Sequence, residues 1–533
     1  MKRCFLLMAM LFWTLASCDE KPIVPVDTPE GPEDQEHQEP VKTELSVSVA
    51  DLLLPAENAQ EVIRVNSNKS WVATYDDTWL TLDRTESSSA VTRILVTAEN
   101  NALTEERTTT ITITADDEVK TVEVTQQAYD NSAEIARRQN IPHIYIDVNG
   151  QAIADKKNYI KGTVTVKDPE LIYSDVPELV LEMTEDGIRG RGNSTWEWPK
   201  KPYKLKFDEK VSILGFPEDK EWCLLANYAD LSLLRNLTAM HISEICGFSW
   251  TPRMCSVEVT LDGKYQGVYN FCEHKKVSKA RVNIDVCEAN EGEALTGGYY
   301  FEIDERSVGV DELCWETSTM KVPMLFCEPE EPTQEQWAYV KKYFNDFEAV
   351  LKAGDYSAGT GYPKYIDVKS FIDYYIVQEL TKNVDGNLRL SSFLTKEVGK
   401  KLEMYHMWDF DLTMGVCGYF SSSVGNGPEN FYIKDAKWYK YLFRDKNFVK
   451  QLKDRWNELY PQLAAVPDFI DTHAKYLEKA AERNFQVWPV NKLASSAGWV
   501  KYSPKGSWEA ELEYFKEFYT DRLVWLDGAL RAL

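Results

Sequence analysis

Two stretches of this 533-residue chain carry side chains whose types and spacing suit phosphate and metal chemistry. The first is Gly187-Ile-Arg-Gly-Arg-Gly-Asn-Ser-Thr-Trp196, followed by Pro199-Lys-Lys-Pro-Tyr-Lys-Leu-Lys-Phe207. Its three glycines let the backbone bend and approach a ligand closely, and Asn193, Ser194 and Thr195 add donors. Alternation along the following strand places Lys204 and Lys206 on one face. Six basic residues (Arg189, Arg191, Lys200, Lys201, Lys204, Lys206) stand against one acid, Glu197, a local charge of +5 in a chain of net charge −25. Such a cluster is expected where a polyphosphate is held; a basic surface hairpin is the plainer alternative. The second stretch is Lys382-Asn-Val-Asp-Gly-Asn-Leu-Arg-Leu-Ser-Ser-Phe393, then a strand over Lys401–Trp408 that runs into Asp409-Phe-Asp-Leu-Thr-Met-Gly415. A loop aspartate, Asp385, can orient an acceptor hydroxyl, while the closely spaced Asp409 and Asp411 can hold a metal that bridges phosphates. Taken alone, the same residues read more simply as a helix-ending turn and two local caps.

The elements that must position these groups follow from periodicity. Trp222-Cys-Leu-Leu-Ala-Asn-Tyr-Ala-Asp-Leu-Ser-Leu-Leu-Arg-Asn236 leads into an amphipathic helix over Leu231–Cys246, which Asp230 or Ser232 can cap. Val257–Glu273 reads as a hairpin turning at Asp262-Gly263, which delivers Glu273 at a strand end. From Ile144 to about Ile303 the pattern is mostly strands. Beyond it, helical spacing runs over Gln336–Lys352, Val368–Thr381, Asn447–Leu463, Phe469–Arg483 and Glu509–Leu533. A strand-rich part followed by a helical part is an α+β arrangement.

Ahead of this region the texture differs. Short alternating strands recur at Leu45–Val49, Val91–Val96, Thr109–Thr114 and Val119–Val124, the pattern of a small Ig-like β-sandwich. Residues 19–42 are rich in Pro, Glu and Asp and read as a disordered tether. Lys2 and Arg3, an apolar run over Phe5–Leu15, and Leu15-Ala16-Ser17-Cys18 have the form of a bacterial lipoprotein signal, with Cys18 as the lipidated residue. With 60 basic against 85 acidic residues, the chain repels phosphate backbones, which argues against nucleic-acid binding. The cysteines after Cys18 lie between Cys223 and Cys417 without zinc-like spacing, so disulfides and buried thiols are both open to them.

The four blocks, in this order, resemble the CotH spore-coat kinase family over roughly residues 141–420, with the later helices completing a C-terminal lobe. The resemblance implies a bilobal atypical protein-kinase-like domain over residues 140–533, using ATP and Mg2+ or Mn2+ to phosphorylate serine on a protein substrate. Carried over by position, Asp385 matches the catalytic-loop aspartate, and Asp409 with Asp411 the metal-binding Trp-Asp-x-Asp segment. The basic strand around Lys204 and Lys206, with Arg189, Arg191 and Glu273, matches the nucleotide side. One departure stands out: Ser391-Ser392 precedes Phe393 where many members place an asparagine, a better metal ligand than serine. A catalytically degenerate cell-surface module that binds glycan or protein on a kinase-like scaffold is therefore the alternative function. Residues 43–128 resemble the BACON domain of Bacteroidetes through Ser70-Trp71, Thr78-Trp79-Leu80, Glu106-Arg107 and Val122-Glu-Val-Thr-Gln-Gln-Ala128. That resemblance implies a spacer or a glycan contact; Trp71 and Trp79 suit a sugar platform or, more simply, the core. The expected order is a signal peptide (1–17), a tether (18–42), a β-sandwich (43–128) and the kinase-like domain. The expected location is the outer membrane or cell surface, reached through the lipid anchor only.

Overall fold

The computed structural model of the protein describes residues 42–103, 105–416, 427–492, 500 and 502–533. The signal peptide, Cys18, nearly all of the tether and Cys417 lie outside the described residues. The chain divides into two compact units, Met1–Asp130 and Asn131–Leu533.

The first unit is all β. Its strands are β1 (Leu45–Val47), β2 (Asp51–Leu54), β3 (Gln60–Ser67), β4 (Trp71–Thr74), β5 (Leu80–Leu82), β6 (Glu86–Ser87), β7 (Val91–Ala98), β8 (Arg107–Ala115) and β9 (Glu118–Gln126). They form two sheets, ordered β1-β3-β7-β5 and β2-β9-β8-β4-β6, around one shared core. Alternation decides the inner face: in β8, Thr109, Ile111, Ile113 and Ala115 are buried while Thr108, Thr110 and Thr114 are exposed. Trp71 and Trp79 both belong to this core, and Arg107 lies 4.5 Å over the Trp79 ring, so neither indole presents a sugar-stacking face.

The second unit opens with α1 (Ser132–Arg138), a helix within the segment that the sequence suggests is a plain connection. The stretch Ser-Ala-Glu-Ile-Ala-Arg-Arg is made of good helix formers, and Arg138 pairs with Glu134 one turn back at 2.8 Å. Next comes a closed barrel of β10 (His143–Asp147), β11 (Ile160–Lys167), β12 (Glu178–Gly190), β13 (Tyr203–Val211), β14 (Asp219–Leu225), β15 (Met254–Leu261) and β16 (Lys264–Glu273). Its order is β10-β11-β12-β13-β14-β16-β15, closed by a parallel β10–β15 seam that leaves no free edge. In β13, Tyr203, Leu205 and Phe207 fill the barrel, which leaves Lys204 and Lys206 on its outer face.

Helix α2 (Arg235–Cys246) links β14 to β15. A second sheet follows: β17 (Tyr299–Ile303), β18 (Cys314–Glu316), β19 (Pro323–Glu328), β20 (Ser392–Lys396) and β21 (Leu402–His406), ordered β18-β19-β17-β20-β21. Around it lie α3 (Gln334–Ala353), α4 (Val368–Leu380), α5 (Tyr439–Leu442), α6 (Lys446–Ala464), α7 (Val466–Val487) and α8 (Trp508–Ala532). Helix α3 starts on a capping box, with Thr333 and Gln336 satisfying each other's backbone donors. Helix α4 starts on Asp367, which accepts from Ser370 N at 2.7 Å. One apolar core joins α2, this sheet and the helices. The described cysteines, Cys223, Cys246, Cys255, Cys272, Cys287, Cys314 and Cys327, are free thiols.

Candidate active site

Helix α2 begins later than the apolar spacing predicts, at Arg235, because Asp230 is committed to a buried network rather than to a simple cap. Its carboxylate accepts from Ser232 N–H at 3.0 Å and Arg235 N–H at 2.8 Å, and pairs with the Arg235 guanidinium at 2.7 Å. Both side chains are wholly buried, where a pair of this geometry leaves neither charge uncompensated. Arg235 then donates to the carbonyls of Thr413 at 3.0 Å and Met414 at 3.2 Å. Asn236 accepts from Phe410 N–H at 2.8 Å. The first turn of α2 thus holds the Asp409–Met414 loop from below its backbone, with Asp409 itself in the left-handed region at φ 71°.

That loop forms one wall of a cleft of about 510 Å³, into which Asp409 and Asp411 project. Burial, and then the neighbouring charges of Asp409, Asp230 and Asp385, push the Asp411 carboxyl well above the usual carboxylate range. Asp385 follows α4 in the loop before β20, and its backbone N–H is held by Asn383 Oδ1 at 3.1 Å. It does not line the cleft, but it feels Asp409: burial first, and that charge second, push its carboxyl up to about 6. Arg389 lies 3.7 Å from it. The three aspartates singled out in the sequence therefore form one electrostatic group, joined by Asp230.

The opposite wall is basic. Arg189, Arg191 and Lys204 all line the cleft. Gly192 sits at φ 82°, and a Cβ there would meet Thr195 Oγ1 at 2.1 Å, so the turn between the two arginines and the following strand requires glycine. Arg191 lies 5.7 Å over Trp408 and Lys204 is 3.3 Å from Glu221. Besides Asp385, two residues expected on this basic wall are not brought to the cleft. Lys206 pairs with Asp186 at 3.1 Å instead. Glu273 is wholly buried, accepting from Arg253 N–H at 2.9 Å and from Trp250 Nε1 at 3.3 Å. Its position at the end of β16 delivers the next residues, His274 and Lys275, to the cleft in its place.

Lys275 and Glu302 were not apparent from spacing, since their contact joins two segments of unremarkable composition. They form an ion pair inside the cleft, and the ammonium stands 4.3 Å over the Phe393 ring. Burial opposes charge on Lys275, but Glu302 beside it outweighs burial and holds the ammonium above its ordinary range. The signals available were the basic run His274-Lys275-Lys276 directly after the hairpin, and the acidic pair Glu302 and Asp304 at and just beyond the end of β17. Ser391 also lines the cleft, with its hydroxyl 3.5 Å from Asp409, whereas Ser392 is buried against Tyr374.

Among the described residues, no three His, Cys, Asp or Glu side chains converge as a complete ion-holding set. The donors present nevertheless fit a hard divalent cation. Two carboxylates project into a cleft, burial and the neighbouring charge of Asp409 penalise the charged form of Asp411, and Mg2+ is commonly held by one or two carboxylates together with substrate phosphates.

The sequence matches the CotH kinase protein family over residues 188–526 and the BACON domain over residues 69–127. No curated protein matches it. Among solved structures, a Bacteroides ovatus GH5 xyloglucanase in complex with a XXXG heptasaccharide is 18% identical, with 22% of this chain and 21% of that chain covered and a TM-score of 0.16. The periplasmic chaperone SfaE is 9% identical over 33% of this chain and 97% of its own, with a TM-score of 0.14. Domains 4–9 of the surface layer protein SbsC are 13% identical over 34% and 28%, also at 0.14. TM-scores this low establish no shared fold.

Proposed function

The chain belongs to the CotH kinase protein family, and from that premise we propose that it is an exported lipoprotein kinase that transfers the γ-phosphate of ATP to serine on a protein. The observation that carries the reading is a single cleft in which Arg189, Arg191, Lys204 and Lys275 face Asp409 and Asp411. In this reading the barrel and the helical part act as the two lobes of a kinase-like domain.

Arg189, Arg191, Lys204 and Lys275 neutralise the polyphosphate, and Glu302 keeps Lys275 charged and aimed. Asp409 and Asp411 would hold Mg2+ or Mn2+, which when bound supplies charge neutralisation on the phosphate oxygens. Asp385, with its carboxyl near 6, accepts the proton of the acceptor serine. The serine oxygen forms its bond to phosphorus as the bond to the β-phosphate oxygen breaks, and ADP leaves. Anchoring through Cys18 would place this chemistry at the outer membrane or cell surface, with the BACON domain as spacer or glycan contact.

Isothermal titration of ATP with Mg2+ or Mn2+ into the intact chain tests the reading. Binding that depends on the metal and is weakened at least about tenfold in Asp409→Asn is expected; no binding with either metal contradicts it. A second reading, a binding module without transfer, is favoured by one observation: a serine hydroxyl, Ser391, stands beside Asp409 where the family places an asparagine carbonyl. Metal-dependent binding without transfer is its signature.

A further inference from the structure

We propose that Asn227 reads the nucleobase and selects adenine over guanine. The assignment rests on the phosphate-transfer reading above and adds a base-recognition residue to it. Asn227 follows β14 in the run Leu225-Ala226-Asn227-Tyr228, all four of which line the cleft. Asn227 is 5% exposed, and among the described residues neither Nδ2 nor Oδ1 has a hydrogen-bond partner. Its φ of 50° accounts for the presence of an Asn, Asp or Gly at this turn. It does not account for an amide left buried and unpaired, a state that folded chains rarely keep without a ligand to relieve it.

The surroundings specify the ligand. Asn227 and Tyr228 also wall an adjoining cavity of about 270 Å³, whose other walls include Leu231, Phe485 and Trp488. Of the two lysines there, Lys200 and Lys492, the buried Lys200 is already engaged by Val268 O at 2.6 Å and Asn484 Oδ1 at 3.0 Å. Leu225, Ala226 and Trp198 add apolar surface on the cleft side. The result is a slot with apolar walls in which Asn227 offers a donor and an acceptor side by side, continuous with the cleft that Arg189, Arg191 and Lys204 line. Adenine presents the matching edge: Asn227 Nδ2 donates to N7, and Oδ1 accepts from the N6 amino group. Guanine presents O6 and N7, two acceptors, so Oδ1 stays unpaired against it.

The test is calorimetric titration of the intact chain with Mg-ATP, Mg-GTP and Mg-tripolyphosphate, comparing wild type with Asn227→Gly and Asn227→Ser. Glycine keeps the left-handed turn, and serine retains a smaller polar side chain. Wild type should bind ATP at least about tenfold more tightly than GTP or tripolyphosphate. Both variants should bring ATP to within about threefold of GTP while leaving tripolyphosphate affinity unchanged, which also shows that the site has folded. An ATP-over-GTP preference that survives in Asn227→Gly overturns the assignment, as does tripolyphosphate bound as tightly as ATP by wild type. No binding of any of the three probes contradicts the phosphate reading itself, and the base assignment with it.

Discussion

Lys204 and Lys206 stand two residues apart on the same outer face of β13, yet Lys204 lines the cleft and Lys206 is held by Asp186. Charge reversal should separate them. Lys204→Glu is expected to raise the dissociation constant for Mg-ATP at least about tenfold by placing a carboxylate against phosphate. Lys206→Glu is expected to leave it within about twofold, as befits a charge outside the cleft; equal losses, measured by calorimetry, would contradict the geometry. The charge contrast of residues 189–206 against an acidic chain was legible in the sequence, and so was the close pair Asp409 and Asp411, which lines the cleft, whereas Asp385 does not. What alternation along a strand cannot tell is which lysine finds a nearby acid. Spacing likewise could not pair Lys275 with Glu302, because that contact joins β17 to the second residue after β16, and nothing in either segment signals the other. Glu273 shows the reverse error: a strand-end carboxylate in a promising block is taken up by Arg253 and Trp250.

Helix α2 carries more than a capped core helix would. Its first turn, through Arg235 and Asn236, fixes the loop that presents Asp409 and Asp411. Arg235→Met leaves the wholly buried Asp230 without its partner, so unfolding in urea should show a loss of about 3–5 kcal/mol. Adding Asp230→Asn should recover part of that loss, because an uncompensated buried charge is its main source. A loss under about 1 kcal/mol would show that the pair is not structural. Element positions were largely readable: the helices observed at 334–353, 368–380, 446–464, 466–487 and 508–532 begin and end within a few residues of the periodic runs. The strand before Asp409 was readable too. Its place in the sheet was not, since β21 pairs with the neighbouring β20, and β20 lies among helices in sequence but pairs back to β17. Pairing of that range is set by tertiary packing rather than by local pattern.

The whole chain joins an N-terminal BACON domain to a CotH kinase domain. The change of texture near residue 130 marked the division, but α1 was missed because seven residues carry too little periodicity to be read as a helix. Within the second unit, Gln139 donates to Glu478 at 2.8 Å and Arg138 lies 5.1 Å over Tyr476, both acceptors on α7. Residues 43–128 expressed alone should therefore unfold cooperatively, while nucleotide binding should persist in a fragment that starts at Asn131. Failure of the first segment to fold in isolation would count against the division. In the proposed reaction the cleft holds ATP, and Asp385, outside its lining but within reach of the Asp409 charge, takes the proton of the acceptor serine. That reaction is tested most directly by labelled ATP, Mg2+ or Mn2+ and a serine-rich acceptor protein, with the intact chain and Asp385→Asn compared side by side. Label on acceptor serine is expected with wild type, and a loss of at least about a hundredfold in Asp385→Asn with nucleotide affinity preserved. Equal transfer by the two proteins, or nucleotide bound without any transfer by wild type, would contradict the proposed reaction.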